Sequence, residues 1–170
     1  GLPMKKGRLG TMTHDYKRHG TTTLFAALDV ATGTVLQECM PQHRHQEFLK
    51  FMRQMERRVA SDLAIHVILD NYATHKHPKV QRWLARHPRV QFHFTPTSAS
   101  WLNLVERFFS ELTERRIRRL AVTSVEQLIA AITEYIDQRN QHPVPFVWTA
   151  TVKQILTKVN KANEILATLH

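Results

Sequence analysis

The run LAIHVILD (63–70) most constrains the fold: it is almost wholly apolar, it ends in an aspartate, and a proline follows at position 78. Such a run suits a strand buried on both faces of a parallel sheet. Proline is tolerated in the first turn of a helix, so KVQRWLARH (79–87) reads as a short helix. VQFHFTP (90–96) alternates as a strand and is stopped by Pro96. A right-handed helical crossover makes the two strands parallel neighbours. Asp70 then stands at a strand's carboxyl end, where open α/β sheets place their sites.

The rest of the chain supplies the other layers. TTTLFAALDV (21–30) and TVLQECM (34–40) are β-branched and apolar and flank an Ala-Thr-Gly turn, which predicts an antiparallel hairpin turning at Gly33. In QEFLKFMRQMERRVA (46–60), Phe48, Leu49, Met52, Met55 and Val59 recur at helical spacing with basic residues opposite. A long helix is expected over 101–119 and another over 124–140, opened by Ser124 as N-cap with Gln127 at the capping-box position. HPVPFVWTA (142–150) breaks it, and 151–166 is a last helix. Hairpin, helix, strand, helix, strand and then helices is the order of a mixed α/β sheet with helices on both faces and C-terminal helices beyond.

Composition narrows the partners. At 170 residues the chain suits one domain with a real core, and no run approaches a membrane span. The first ten residues lack the apolar stretch of a secretory signal, and the single Cys39 excludes an internal disulfide framework or a multi-cysteine zinc site. A cytoplasmic protein is the expectation. Lys and Arg number 24 against 14 acids, a net charge of +10, which favours a polyanion and nucleic acid first; a merely basic soluble protein is the plainer alternative.

Asp70 and Glu106 are the candidate chemical residues. A strand-end aspartate and an early helical glutamate, with 35 residues between them, are what a pair of divalent ions needs for phosphoryl chemistry. Leu102, Val105, Phe109 and Leu112 form a packing face that would orient the helix carrying Glu106. The plain readings are a turn at Asp70–Asn71 and a solvated helical glutamate.

The local sequence resembles the DDE transposases of bacterial insertion sequences, distant relatives of the mariner elements. Their D-N-x-x-x-H motif is matched by Asp70, Asn71 and His75. Their second signature is matched in SWLNLVE by Leu102, Asn103, Val105 and Glu106, with Ser100 and Leu104 where prolines would stand. The resemblance implies an RNase H-like fold and Mg²⁺ or Mn²⁺ in a two-metal site. It further implies cleavage and strand transfer on DNA, with insertion-sequence terminal repeats and target DNA as partners. A homodimer in the full-length protein and a bacterial cytoplasmic, nucleoid-associated location follow from the same likeness.

Other residues are weaker candidates. His75 orients a carboxylate, touches phosphate, or has no role. Arg115, Arg116, Arg118 and Arg119 contact DNA phosphates or complement the helix C-terminal dipole. The HRH (43–45) and HKH (75–77) pairs lack the ligand spacing of a zinc site. Trp101, Phe146 and Trp148 read as packing residues.

The third acid is missing from this pattern. An RNase H-like sheet starts with three antiparallel strands and carries its first acid on the first of them, whereas only two strands precede the first helix here. The chain is therefore expected to lack that strand and acid: 1–20 a basic linker remnant, 21–140 a partial catalytic domain, 141–170 a helical extension. The helix-turn-helix that such transposases carry ahead of the catalytic region is not expected within these residues. The rival is Asp29 as first acid in a shortened sheet. Two other function classes stay open, a non-catalytic basic nucleic-acid-binding module with this fold and an RNase H-type or resolvase-like hydrolase.

Overall fold

The computed structural model describes residues 20–96, 104–147, 149 and 151–168. Strands β1 (Thr23–Leu28) and β2 (Val35–Met40) pair antiparallel, with Thr23 opposite Met40 and Leu28 opposite Val35. Asp29 makes the turn between them. Its Oδ1 accepts the Ala31 N–H at 2.9 Å, and its Oδ2 accepts the Thr32 hydroxyl at 2.8 Å. Gly33 has φ 79°, the left-handed conformation that glycine tolerates, and a Cβ there would meet the Val144 carbonyl oxygen at 2.1 Å.

Helix α1 (His45–Arg58) follows and buries Phe48, Leu49, Phe51 and Met52. Strand β3 (Ile65–Leu69), helix α2 (Pro78–Leu84) and strand β4 (Val90–Phe94) form the expected parallel crossover unit, with Ile65 opposite Val90 and Leu69 opposite Phe94. Pro78 sits in the first turn of α2, and the His77 side chain accepts the Lys79 N–H. Arg89 locks the crossover: its guanidinium donates to the carbonyls of Ala60 at 2.6 Å, Leu63 at 3.1 Å, Glu56 at 2.6 Å and Val59 at 3.2 Å. These are carbonyls at and just beyond the end of α1, which a helix leaves without internal partners.

Helix α3 (Leu104–Arg115) is shorter than the expected 101–119: Arg116 departs from helical dihedrals and a 3₁₀ turn, Ile117–Arg119, follows. The Arg116 guanidinium reaches across to Glu134 of helix α4 (Val125–Gln141), whose N-cap is Ser124 as anticipated. Helix α5 (Val152–Thr168) is the last described element.

Two apolar clusters lie on opposite faces of the hairpin. One joins Phe25 and Met40 to Met52, Leu69, Val80 and Trp83, so α1 binds the hairpin to the β3–β4 pair. The other joins Val35 to Phe108, Leu112, Ile132 and Ile136, which places α3 and α4 on the second face. The α/β class with helices on both faces is as the sequence indicates. The strands are hydrogen-bonded as two separate two-stranded sheets, β1–β2 and β3–β4, with no ladder between them among the described residues. Ile65 and Leu69 point to the α1 core, whereas Ile68, 53% exposed, lies on the opposite side of β3. The alternation puts Asp70 on the side of Ile68.

Candidate active site

Asp70 is the residue after β3, and the loop behind it is pinned to β4. The Thr95 N–H donates to the Leu69 carbonyl at 2.8 Å, extending the parallel ladder, and Asn71 Nδ2 donates to the Thr95 carbonyl at 2.7 Å. This gives Asn71 a positioning role that needs no contact with substrate. Asp70 Oδ1 accepts the Tyr72 N–H at 3.2 Å and faces His75 Nδ1 at 3.2 Å. His75 Nδ1 also lies 3.2 Å from the Asp70 carbonyl oxygen. Both neighbours are acceptors, so Nδ1 carries the hydrogen. Asp70 Oδ2 has no partner among the described residues, and the Asp70 side chain is 45% exposed against 12% for His75.

Aromatic packing fixes His75. Its ring lies 4.6 Å from Phe48 of α1, and Tyr72 lies edge-on at 6.0 Å. Tyr72 stacks on His43 at 4.9 Å, and His43 meets Phe25 of β1 edge-on at 5.0 Å. Burial, reinforced by the nearby His75, pushes the His43 pKa below its ordinary value, and Asp70 opposes the shift. His43 thus connects the open end of the hairpin to the Asp70 loop.

The two histidine pairs of the sequence meet, in a form that suits stacking rather than chelation. His45 and His77 stack face to face at 3.7 Å with 2° between their planes. Imidazole lone pairs lie in the ring plane, so parallel stacked rings cannot converge on one ion. No group of three or more His, Cys, Asp or Glu side chains suited to a metal occurs among the described residues.

Glu106 lies in the first turn of α3 and is exposed; it forms no hydrogen bond or ion pair among the described residues. Phe108 and Leu112 anchor its helix to the hairpin face and fix its backbone. No side-chain bond links it to Asp70. The donor set of the two, carboxylate oxygens, suits a hard divalent cation that keeps water and takes phosphate oxygen. Asn103, Trp101 and Trp148 lie outside the described residues.

Asp29 is placed otherwise. Its carboxylate caps the β1–β2 turn, at the hairpin end opposite the one from which His43 departs. The length of β1 puts it about 20 Å along the hairpin from that end. The candidate DNA arginines are largely engaged within the protein: Arg115 pairs with Glu111, Arg118 with Glu114 and Arg116 with Glu134. Phe146 packs beneath the Arg107 guanidinium at 5.8 Å. Tyr72, Thr95 and His43 escape a reading for catalytic residue types, because they shape the site through packing and main-chain bonds.

Asp70 thus follows the carboxyl end of β3, and Glu106 stands in the first turn of a helix packed on the β1–β2 hairpin. The family model "DDE superfamily endonuclease" matches residues 2–129, and the chain belongs to that family. The chain is 25% identical over 96 residues to the insertion element IS630 uncharacterized 39 kDa protein of Shigella sonnei, covering 56% of this chain and 28% of that protein. It therefore spans under a third of that relative's length. A chain of the cryoEM structure of the simian T-cell lymphotropic virus intasome in complex with PP2A regulatory subunit B56 gamma is similar over 78% of this chain and 54% of its own, with a TM-score of 0.49 and 12% identity. No helix among the described residues is long and apolar enough to cross a membrane.

Proposed function

We propose that this chain carries the second and third carboxylates, Asp70 and Glu106, of a DDE transposase that cleaves DNA and transfers strands at insertion-sequence ends. The observation that carries the reading is the geometry around Asp70, whose Oδ1 is held by Tyr72 and His75 while Oδ2 has no partner among the described residues. Asp70 and Glu106 would hold Mg²⁺ or Mn²⁺, which when bound activates the attacking water or DNA hydroxyl and offsets charge on the phosphoryl group. His75 holds the Asp70 carboxylate in one rotamer through Nδ1–H, and Asn71 ties the loop to β4. The partners on this reading are terminal-repeat and target DNA, with a homodimer bringing two ends together in the bacterial cytoplasm.

The first carboxylate is the reading's other half. Asp29 accepts hydrogen bonds within the hairpin turn, at the end of the hairpin opposite the one from which His43 departs. The unjoined β1–β2 and β3–β4 pairs are consistent with a place for one more strand bearing an acid. The 170-residue polypeptide alone is then inactive on DNA strands. Plasmid nicking with Mg²⁺ or Mn²⁺ tests this: supercoiled DNA stays intact on this account. Metal-dependent nicking that vanishes in Asp29→Asn would overturn it and restore Asp29 as the first acid. Duplex binding without any metal binding at Asp70 and Glu106 would favour the non-catalytic basic module instead.

A further inference from the structure

Resting on the DNA reading above, we propose that the outward face of α1 and α2 is a second nucleic-acid surface, gripping the phosphate backbone of duplex DNA away from Asp70. Charge is concentrated there. Residues 45–58 and 78–89 together carry eight Lys and Arg against two acids, whereas 104–119, where the sequence suggested DNA contacts, carry five against three. One of the two acids, Glu56, is already shared by Arg89 and His87. Arg53, Arg57 and Arg82 are exposed and form no ion pair among the described residues. Three of the five arginines over 104–119 instead pair with acids, Arg115 with Glu111, Arg118 with Glu114 and Arg116 with Glu134, which lowers the local potential that a polyanion would meet.

The shape fits the same partner. Arg53, Arg57 and Arg86 line an open groove between the helices, beside Glu56, His87 and Trp83. Arg53 and Arg57 are four residues apart on α1, a rise of about 6 Å. That is close to two steps of about 3.4 Å along a DNA strand. Trp83, the groove's one large aromatic, is 3% exposed and covered by the His87 ring at 4.2 Å, so it offers no face to unstacked bases. Single-strand binding uses such faces, whereas duplex backbone binding does not. The groove also lacks the exposed apolar side chains that a membrane-surface helix buries. Arg53 and Arg57 follow His45 by eight and twelve residues, which puts them about 12–18 Å farther along α1 than the site end.

Two charge-matched double variants test the assignment, Arg53→Gln/Arg57→Gln and Arg115→Gln/Arg118→Gln. Each is assayed by fluorescence anisotropy against a random-sequence duplex over a series of NaCl concentrations, with circular dichroism as the control for folding. The slope of log affinity against log salt should become shallower by about 2 in the α1 variant, and by less than about 1 in the α3 variant. Restoring the charge as Arg53→Lys/Arg57→Lys should restore the slope. An unchanged slope in the α1 variant, or an equal loss in both, overturns this surface while leaving DNA as the partner. Failure of the wild-type chain to bind duplex at all would overturn both.

Discussion

His75 Nδ1 stands 3.2 Å from Asp70 Oδ1, and the histidine is nearly buried while the aspartate is half exposed. The histidine belongs to the protein's interior and the carboxylate to its surface, so one side chain transmits the rigidity of the core to the other. Replacing His75 by Ala removes the partner of Asp70 and the packing against Phe48. A loss of about 1–2 kcal/mol is expected. Thermal unfolding should fall by about 3–6 °C for a chain of this size. His75→Asn, which keeps a donor near the Nδ1 position, should recover part of the metal affinity without recovering the full stability.

Arg89 closes the end of α1 through four carbonyls, and it does so with a planar fork that lysine cannot reproduce. Arg89→Ala leaves those carbonyls without the guanidinium and should cost about 3 kcal/mol. Arg89→Lys should restore less than half of that in urea unfolding. Full rescue by lysine would show that charge alone, and not the fork, holds the crossover.

Glu47 gives a pH signature. Hydrogen bonding to the Arg44 guanidinium is the main reason its carboxyl is held down to about 2 from an ordinary 4.5. A carboxyl whose folded pKa is depressed stabilises the fold fully above the unfolded value, and the contribution is lost as pH falls through the folded one. The window is therefore pH 4.5 down to about 2. An NMR titration should place the Glu47 midpoint near 2, and Arg44→Gln should move it back toward 4.5.

Much of the frame was legible in the sequence because periodicity is a local signal. The Pro78 helix start, the Ser124 cap and the Gly33 turn are set by residues beside them, and each lies where expected. Asp29 was ambiguous for the same reason: an aspartate ending a strand serves a turn or a metal, and the Thr32 hydroxyl that claims it acts through the fold of the turn. The pairing of Arg116 with Glu134, and of Asn140 with both main-chain groups of Val35, joins residues far apart in the chain and leaves no periodic trace. The HRH and HKH pairs were visible, but their stacking depends on how α1 sits over the β3 loop.

Paramagnetic line broadening by Mn²⁺, followed amide by amide in the NMR spectrum of the 170-residue chain, tests the pairing of Asp70 with Glu106 most directly. The account predicts weak, saturable broadening centred on the Asp70 loop and the first turn of α3, abolished by Asp70→Asn and by Glu106→Gln. Broadening confined to one of the two carboxylates, centred elsewhere such as the His66–His93 pair on the open face of the β3–β4 sheet, or unchanged in both variants would contradict it.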